Sequence, residues 1–128
     1  MTLDSTKTPS RGRLFKLFTD LGPYFRKLQS TESSYFFDCL EICIDMEKEP
    51  EEREFYGWWL IVENNDAGYT FKRFDGRFNL AAEWEVEKLT EEQQQQIDKS
   101  FDLFIVRLQA LIKESTMHEL HEQQVVLS

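Results

Sequence analysis

The sequence predicts an α+β domain: an antiparallel four-stranded sheet meander packed by an N-terminal helix and a long C-terminal helix. Three observations predict it. Apolar residues near both ends recur at steps of three and four, the helical spacing. Between those ends, aromatic and aliphatic residues alternate with period two. Clusters of turn formers separate the alternating runs. The chain has 128 residues, a length that suits a single domain over 1–128 with one modest core.

Residues 1–9 are polar, with Pro9 near their end, and read as a flexible arm. Ser10 is a suitable N-cap. Leu14, Leu17, Phe18 and Leu21 then share one helical face, with Arg13, Lys16 and Asp20 opposite. Gly22-Pro23 stops this helix. Tyr35 to Asp45 reads as a long strand. Strict alternation puts Phe36, Leu40, Ile42 and Ile44 on one side and Phe37, Cys39 and Cys43 on the other. Asp38 falls among the apolar residues, where a carboxylate requires a partner inside the domain.

An acidic loop from Glu47 to Glu52 leads into Arg53-Glu54-Phe55-Tyr56-Gly57-Trp58-Trp59-Leu60-Ile61-Val62. As a strand this run has no polar face. Either both faces are buried, or large aromatics are left for a partner, where Trp, Tyr and Arg carry binding energy. Asn64 to Gly68 reads as a hairpin connection, and Tyr69 to Phe74 as the next strand. Asp75-Gly76 marks a further turn, and Phe78 to Val86 a fourth extended segment carrying Trp84. Thr90 and Gln93 have the spacing of a capping box. Ile97, Phe101, Phe104, Leu108, Leu111 and Ile112 then form the apolar stripe of a long helix. From Glu114 to Ser128 the stripe lapses, and the end is expected to fray.

The formal net charge is −9. Residues 1–27 hold six basic and two acidic side chains, so the remainder carries −13. Phosphate backbones repel such a body, which argues against sequence-specific DNA binding by the chain alone. A solvated basic face accounts for the first helix. The sequence shows neither a secretory leader nor an apolar run of membrane-spanning length, so a cytoplasmic protein with no membrane contact is expected. Cys39 and Cys43 would lie about 13 Å apart along a strand, beyond the roughly 7 Å that a disulfide spans. Free thiols are expected.

Signatures of catalysis and of phosphate or dinucleotide binding are missing from the chain. His118 and His121, with Glu119 and Glu122, could hold a metal loosely. An exposed helix end explains them more simply, so neither metal nor cofactor is expected. The Asp98/Asp102 pair reads as a solvated helix face.

Four blocks carry a family resemblance: Met1-Thr2-Leu3; Phe18-Thr19-Asp20-Leu21-Gly22-Pro23-Tyr24; Tyr35-Phe36-Phe37-Asp38-Cys39-Leu40; and Arg53 to Trp59. In order and spacing they resemble the sigma factor-binding Crl family of enterobacteria and related bacteria, from the first residue to about Trp84. Tyr56 departs from the family pattern, which has tryptophan there. The resemblance implies a non-catalytic transcription activator. Its expected partner is the stationary-phase sigma factor, sigma S, bound through sigma domain 2, and it would promote association with core RNA polymerase. It further implies contact with RNA polymerase in the holoenzyme, and a monomeric chain is expected. Family contact positions fall on Tyr24, Arg53, Phe55, Trp58 and Trp84. Phe55 and Trp58 have opposite parity on an ideal strand, so either Gly57 sits at a bulge or one of the two acts through the core. A small-ligand-binding domain with an aromatic pocket is the alternative from another class.

Overall fold

A computed structural model of the chain describes residues 11–65 and 68–123. The expected arm at 1–9 and the Ser10 cap lie outside these residues. Helix α1 (Arg11–Asp20) buries Leu14 and Phe18 as its periodicity requires, and Phe15 beside them. Gly22 follows with φ 138°, a left-handed value that favours glycine. Strands β1 (Ser34–Cys43), β2 (Phe55–Asn65), β3 (Gly68–Phe78) and β4 (Trp84–Val86) run as an antiparallel meander in the order β1-β2-β3-β4. Helix α2 (Glu91–Thr116) starts at the Thr90–Gln93 capping box, with both reciprocal hydrogen bonds made.

The sheet is mixed rather than purely antiparallel. A fifth strand, β5 (Leu120–Glu122), pairs parallel with the first residues of β3. Over residues 114–123 this replaces the frayed end expected from Glu114; residues 124–128 lie outside the described residues. The helix continues to Thr116, and Met117 turns the chain with φ 65°. Leu120 then enters the core at 4% exposure. One apolar residue in a polar stretch leaves no periodicity to read, and edge pairing uses backbone groups that every sequence has.

The turn expected at Asp75-Gly76 is also absent. β3 runs straight through it, and the chain reverses at Asn79–Glu83 instead. There the Asn79 side chain accepts from the backbone of Ala81 and Glu83. Gly76 serves close approach, because a Cβ there would collide with the Glu85 carbonyl on β4.

In β1 the register shifts between Leu40 and Ile42, leaving Glu41 as an extra residue. Strict alternation put Leu40 and Ile42 on one face. The bulge separates them: Ile42 packs toward the helices, and Cys43 joins the face of Leu40. β2 pairs β3 without interruption from Phe55 to Asn65, so no bulge occurs at Gly57.

Both helices and the core lie on one face of the sheet. Phe37, Trp58, Leu60 and Val62 meet Phe101, Phe104, Leu108 and Ile112 of α2. α1 adds Phe18, edge-to-face on Phe37 at 5.2 Å. An ion cluster borders this layer. Arg73 bonds Asp75 and Asp98, and its guanidinium lies 4.3 Å from the centroid of the Phe101 ring. Asp98 is thus tied to the sheet, not part of a freely solvated face as its sequence context suggested.

Candidate functional site: the open face of the sheet

Among the described residues, no helix lies over the opposite face of the sheet. The strand registers sort its residues into rows. Cys43, Phe55, Phe78 and Trp84 are paired in succession, so all four point the same way. The next row is Leu40, Gly57, Gly76 and Val86, and the third is Asp38, Trp59 and Phe74. Two glycines in the middle row leave the sheet bare there. The Trp84 indole fills that space. Its Cη2 would stand 3.0 Å from a Cβ on Gly57. It stacks on Trp59 at 4.9 Å and 24°, and Trp59 stacks on Phe74 at 5.3 Å and 18°. Phe78 packs against the near side of Trp84 at 5.2 Å.

This aromatic layer shields itself. Trp59 is only 8% exposed, although no helix covers it. Trp84, Phe74, Phe78, Phe55, Phe36 and Ile61 stay partly exposed around it. These side chains give the open face an aromatic and aliphatic surface.

The one buried carboxylate of the face anchors the layer. Asp38 is 3% exposed. It accepts the Trp84 indole N–H at 2.9 Å and a hydrogen bond from Arg26 Nε at 2.5 Å. The partner expected for Asp38 inside the domain is therefore an arginine together with a tryptophan. Arg26 reaches it because residues 24–26 run alongside β1, with Arg26 N donating to Phe36 O and Asp38 N to Tyr24 O.

The five positions singled out in the sequence divide between the two faces. Phe55 and Trp84 share a row of the open face, with Phe78 between them. Arg53 lies just before β2, and its guanidinium donates to the carbonyls of Met46 and Lys48 at 3.0 and 2.9 Å. Those bonds tie the acidic loop to the start of the strand. Trp58 lies on the helix face with 0% exposure, its indole N–H bonded to Ser100 Oγ at 3.2 Å. Tyr24 stacks on Trp58 at 5.9 Å and lies tilted against Phe104 at 4.8 Å, also on the helix side. Since β2 has no bulge, parity holds, and Trp58 reaches any partner of the open face only through the core.

The strand reading missed Trp59, Phe74 and Arg26. Alternation along β2 placed Phe55 and Trp59 together, but the stacking order depends on cross-strand register. Arg26 carried no local signal, since its partner is twelve residues on.

Cys39 is close to Ser100 Oγ at 3.5 Å, and burial pushes its thiol up to about 11. A thiol so protonated is a poor nucleophile. His121 pairs with Glu119 at 3.4 Å, exposed to solvent. An open groove of about 460 Å³ beside Tyr24 is lined by Glu41, Ser100, Leu103, Phe104 and Arg107. Among the described residues no helix is long and apolar enough to cross a membrane.

Fold and site together define a class: a small α+β domain whose sheet carries helices on one face and an aromatic layer on the other. The chain belongs to the Crl family, described as sigma factor-binding transcriptional regulators, whose model matches residues 1–127. It is similar to the sigma factor-binding protein Crl of Photobacterium profundum, 42% identical over 94% of this chain and 90% of the relative. The protein of the same name from Vibrio vulnificus is 34% identical over 94% of this chain and 95% of its own length. That from Vibrio cholerae is 35% identical over 87% and 86%.

Proposed function

We propose that the protein is a non-catalytic, monomeric, cytoplasmic transcription activator that binds the stationary-phase sigma factor through sigma domain 2. Binding favours the sigma conformation that associates with core RNA polymerase, and the chain contacts the polymerase in the assembled holoenzyme. The observation that carries this reading is the open sheet face, with Phe55 and Trp84 flanking Phe78 in one row and Arg53 just before the strand of Phe55. In a family of sigma factor-binding regulators, such a face is the natural place for the sigma factor to sit. Aromatics supply contact area at low entropic cost, and a guanidinium can grip a carboxylate on the partner. Tyr24 and Trp58 support the face from beneath rather than touching the partner edge-on.

The mechanism is a population shift. A partner that prefers the polymerase-competent state of sigma raises its apparent affinity by up to the inverse of that state's population. No proton or covalent bond need move. A small-ligand function would instead require these aromatics to wall a concavity, whereas they lie on a sheet face as stacked plates.

Titration of sigma S domain 2 by calorimetry tests the reading. Arg53→Ala is expected to weaken binding by at least tenfold with an unchanged circular dichroism spectrum. Arg53→Lys should also bind less well, because the planar fork is lost. Wild-type affinity in both variants, or no binding by the wild-type chain, would sink it.

A further inference from the structure

The geometry points to Asp38 as a positioning residue that sets the Trp84 indole in one orientation on the open face, an inference that rests on the docking role proposed for that face. Trp84 is on a three-residue strand at the end of the sheet, paired on one side only. Its ring must reach across two strands to meet Trp59. Stacking alone would not fix how far it reaches or which edge faces outward, since offset arrangements of aromatic rings are close in energy. The indole has one polar atom, and that atom donates to Asp38 Oδ2. This hydrogen bond selects one rotamer and turns the indole's Nε1 edge toward the sheet.

Asp38 is itself fixed. Its other oxygen takes Arg26 Nε, and its backbone N–H donates to the Tyr24 carbonyl. Arg26, Asp38 and Trp84 are therefore one rigid chain of contacts linking the 24–26 segment, β1 and β4. Stability alone is a weak reason for a buried ion pair on an otherwise apolar face, because well-packed apolar residues do as well or better. A carboxylate adds direction. It accepts two hydrogen bonds along set lines, from a guanidinium on one side and an indole on the other. An aromatic ring held ready avoids the entropy cost of being ordered on binding, a difference of roughly tenfold in affinity for one large side chain.

Asn at position 38 puts an NH2 donor where one of the two acceptor oxygens stood, so it faces either Arg26 or Trp84 with a donor instead of an acceptor. Asp38→Asn and Trp84→Phe, singly and together, provide the test. Trp84→Phe keeps an aromatic ring and removes the N–H. The direct readout is the Trp84 indole resonance by ¹⁵N–¹H NMR, expected downfield and slow to exchange in the wild-type protein. The second is the exciton couplet of the Trp59–Trp84 stack in circular dichroism, expected to weaken in Asp38→Asn. The third is affinity for sigma S domain 2. Asp38→Asn should lose roughly tenfold, and most of that loss should vanish in the Trp84→Phe background. An indole N–H that exchanges freely in the wild-type protein overturns the inference, and this result does not depend on any variant folding. An Asp38→Asn loss that is undiminished in Trp84→Phe, with the couplet unchanged, overturns it too. If the wild-type chain fails to bind sigma S domain 2, the docking reading falls, while the resonance and the couplet still decide whether Asp38 orients the ring.

Discussion

Trp58 and Trp59 are adjacent in sequence and nearly equal in burial, yet they belong to different halves of the molecule. Trp58 is enclosed by α2, between Phe101 and Phe104, with Tyr24 stacked outside it. Trp59 faces away from both helices and stacks on Phe74 and Trp84. The first is buried by secondary structure that cannot leave without unfolding the domain. The second is buried by rings that are themselves half-exposed. The helix face is where stability is concentrated, and on the open face aromatic side chains stay partly exposed. One strand serves both because side chains alternate across it.

The sharpest way to break the comparison is to truncate each kind of ring. Trp58→Ala is expected to cost roughly 3–5 kcal/mol of folding stability, as a core aromatic does. Trp84→Ala should cost modest stability but ~2 kcal/mol or more in binding to sigma S domain 2. Denaturant melts and titrations on both variants check the pair. Equal losses of stability would remove the distinction between the faces.

A smaller effect is expected at the C-terminal edge. Ending the chain after Met117 removes Leu120 from the core and the parallel pairing of β5 with β3. The sequence suggested a frayed end whose loss would leave stability unchanged. The structure reverses that expectation: the truncated chain should lose about 2 kcal/mol, the worth of a buried leucine, and melt several degrees lower. Unchanged melting would show that β5 contributes nothing. Sigma affinity, measured below the melting range, should stay close to wild type, because β5 lies at the far end of β3 from Phe78 and Trp84.

The smallest effect concerns acid. Arg77 donates to Glu87 and, together with the nearby Tyr56 hydroxyl, holds its carboxyl below the usual carboxylate range. Asp98 is also held low: partial burial pushes it up, but the Gln94 amide and Arg73 outweigh that. A lowered folded-state value means that the unfolded chain binds more protons as the pH falls. The stabilisation is complete above the ordinary carboxylate range and is lost as pH drops through the folded values. Melting temperature should therefore fall on acidification below about pH 4. Glu87→Gln should flatten part of that fall. At neutral pH it should cost no more than about 0.5 kcal/mol, since the pair is near the surface.

Much of the scaffold was legible because its signals are local. The α2 stripe, the Thr90–Gln93 box, the Gly22-Pro23 stop and the period-two strands all depend on residues within one or two turns of each other. The candidate site was legible only in part. Phe55 and Trp84 could be named from family blocks, and parity already divided Phe55 from Trp58. Which of those two faces the helices is decided by where α2 packs, and no periodicity within β2 contains that.

By itself, then, the sequence determined the α+β class, the helix and strand order, the acidic body and the membership of the Crl family, since composition, spacing and motif are properties of the chain alone. Only the tertiary structure decided the parallel fifth strand, the straight run of β3 through Asp75-Gly76, and the Glu41 bulge that turns Ile42 inward. It also decided that Asp38 holds both Arg26, 12 residues before it, and Trp84, 46 residues after it. Each of these is set by the register of strands against one another and by a backbone or ring approaching from afar. Such contacts form between residues whose local sequence carries no record of the partner.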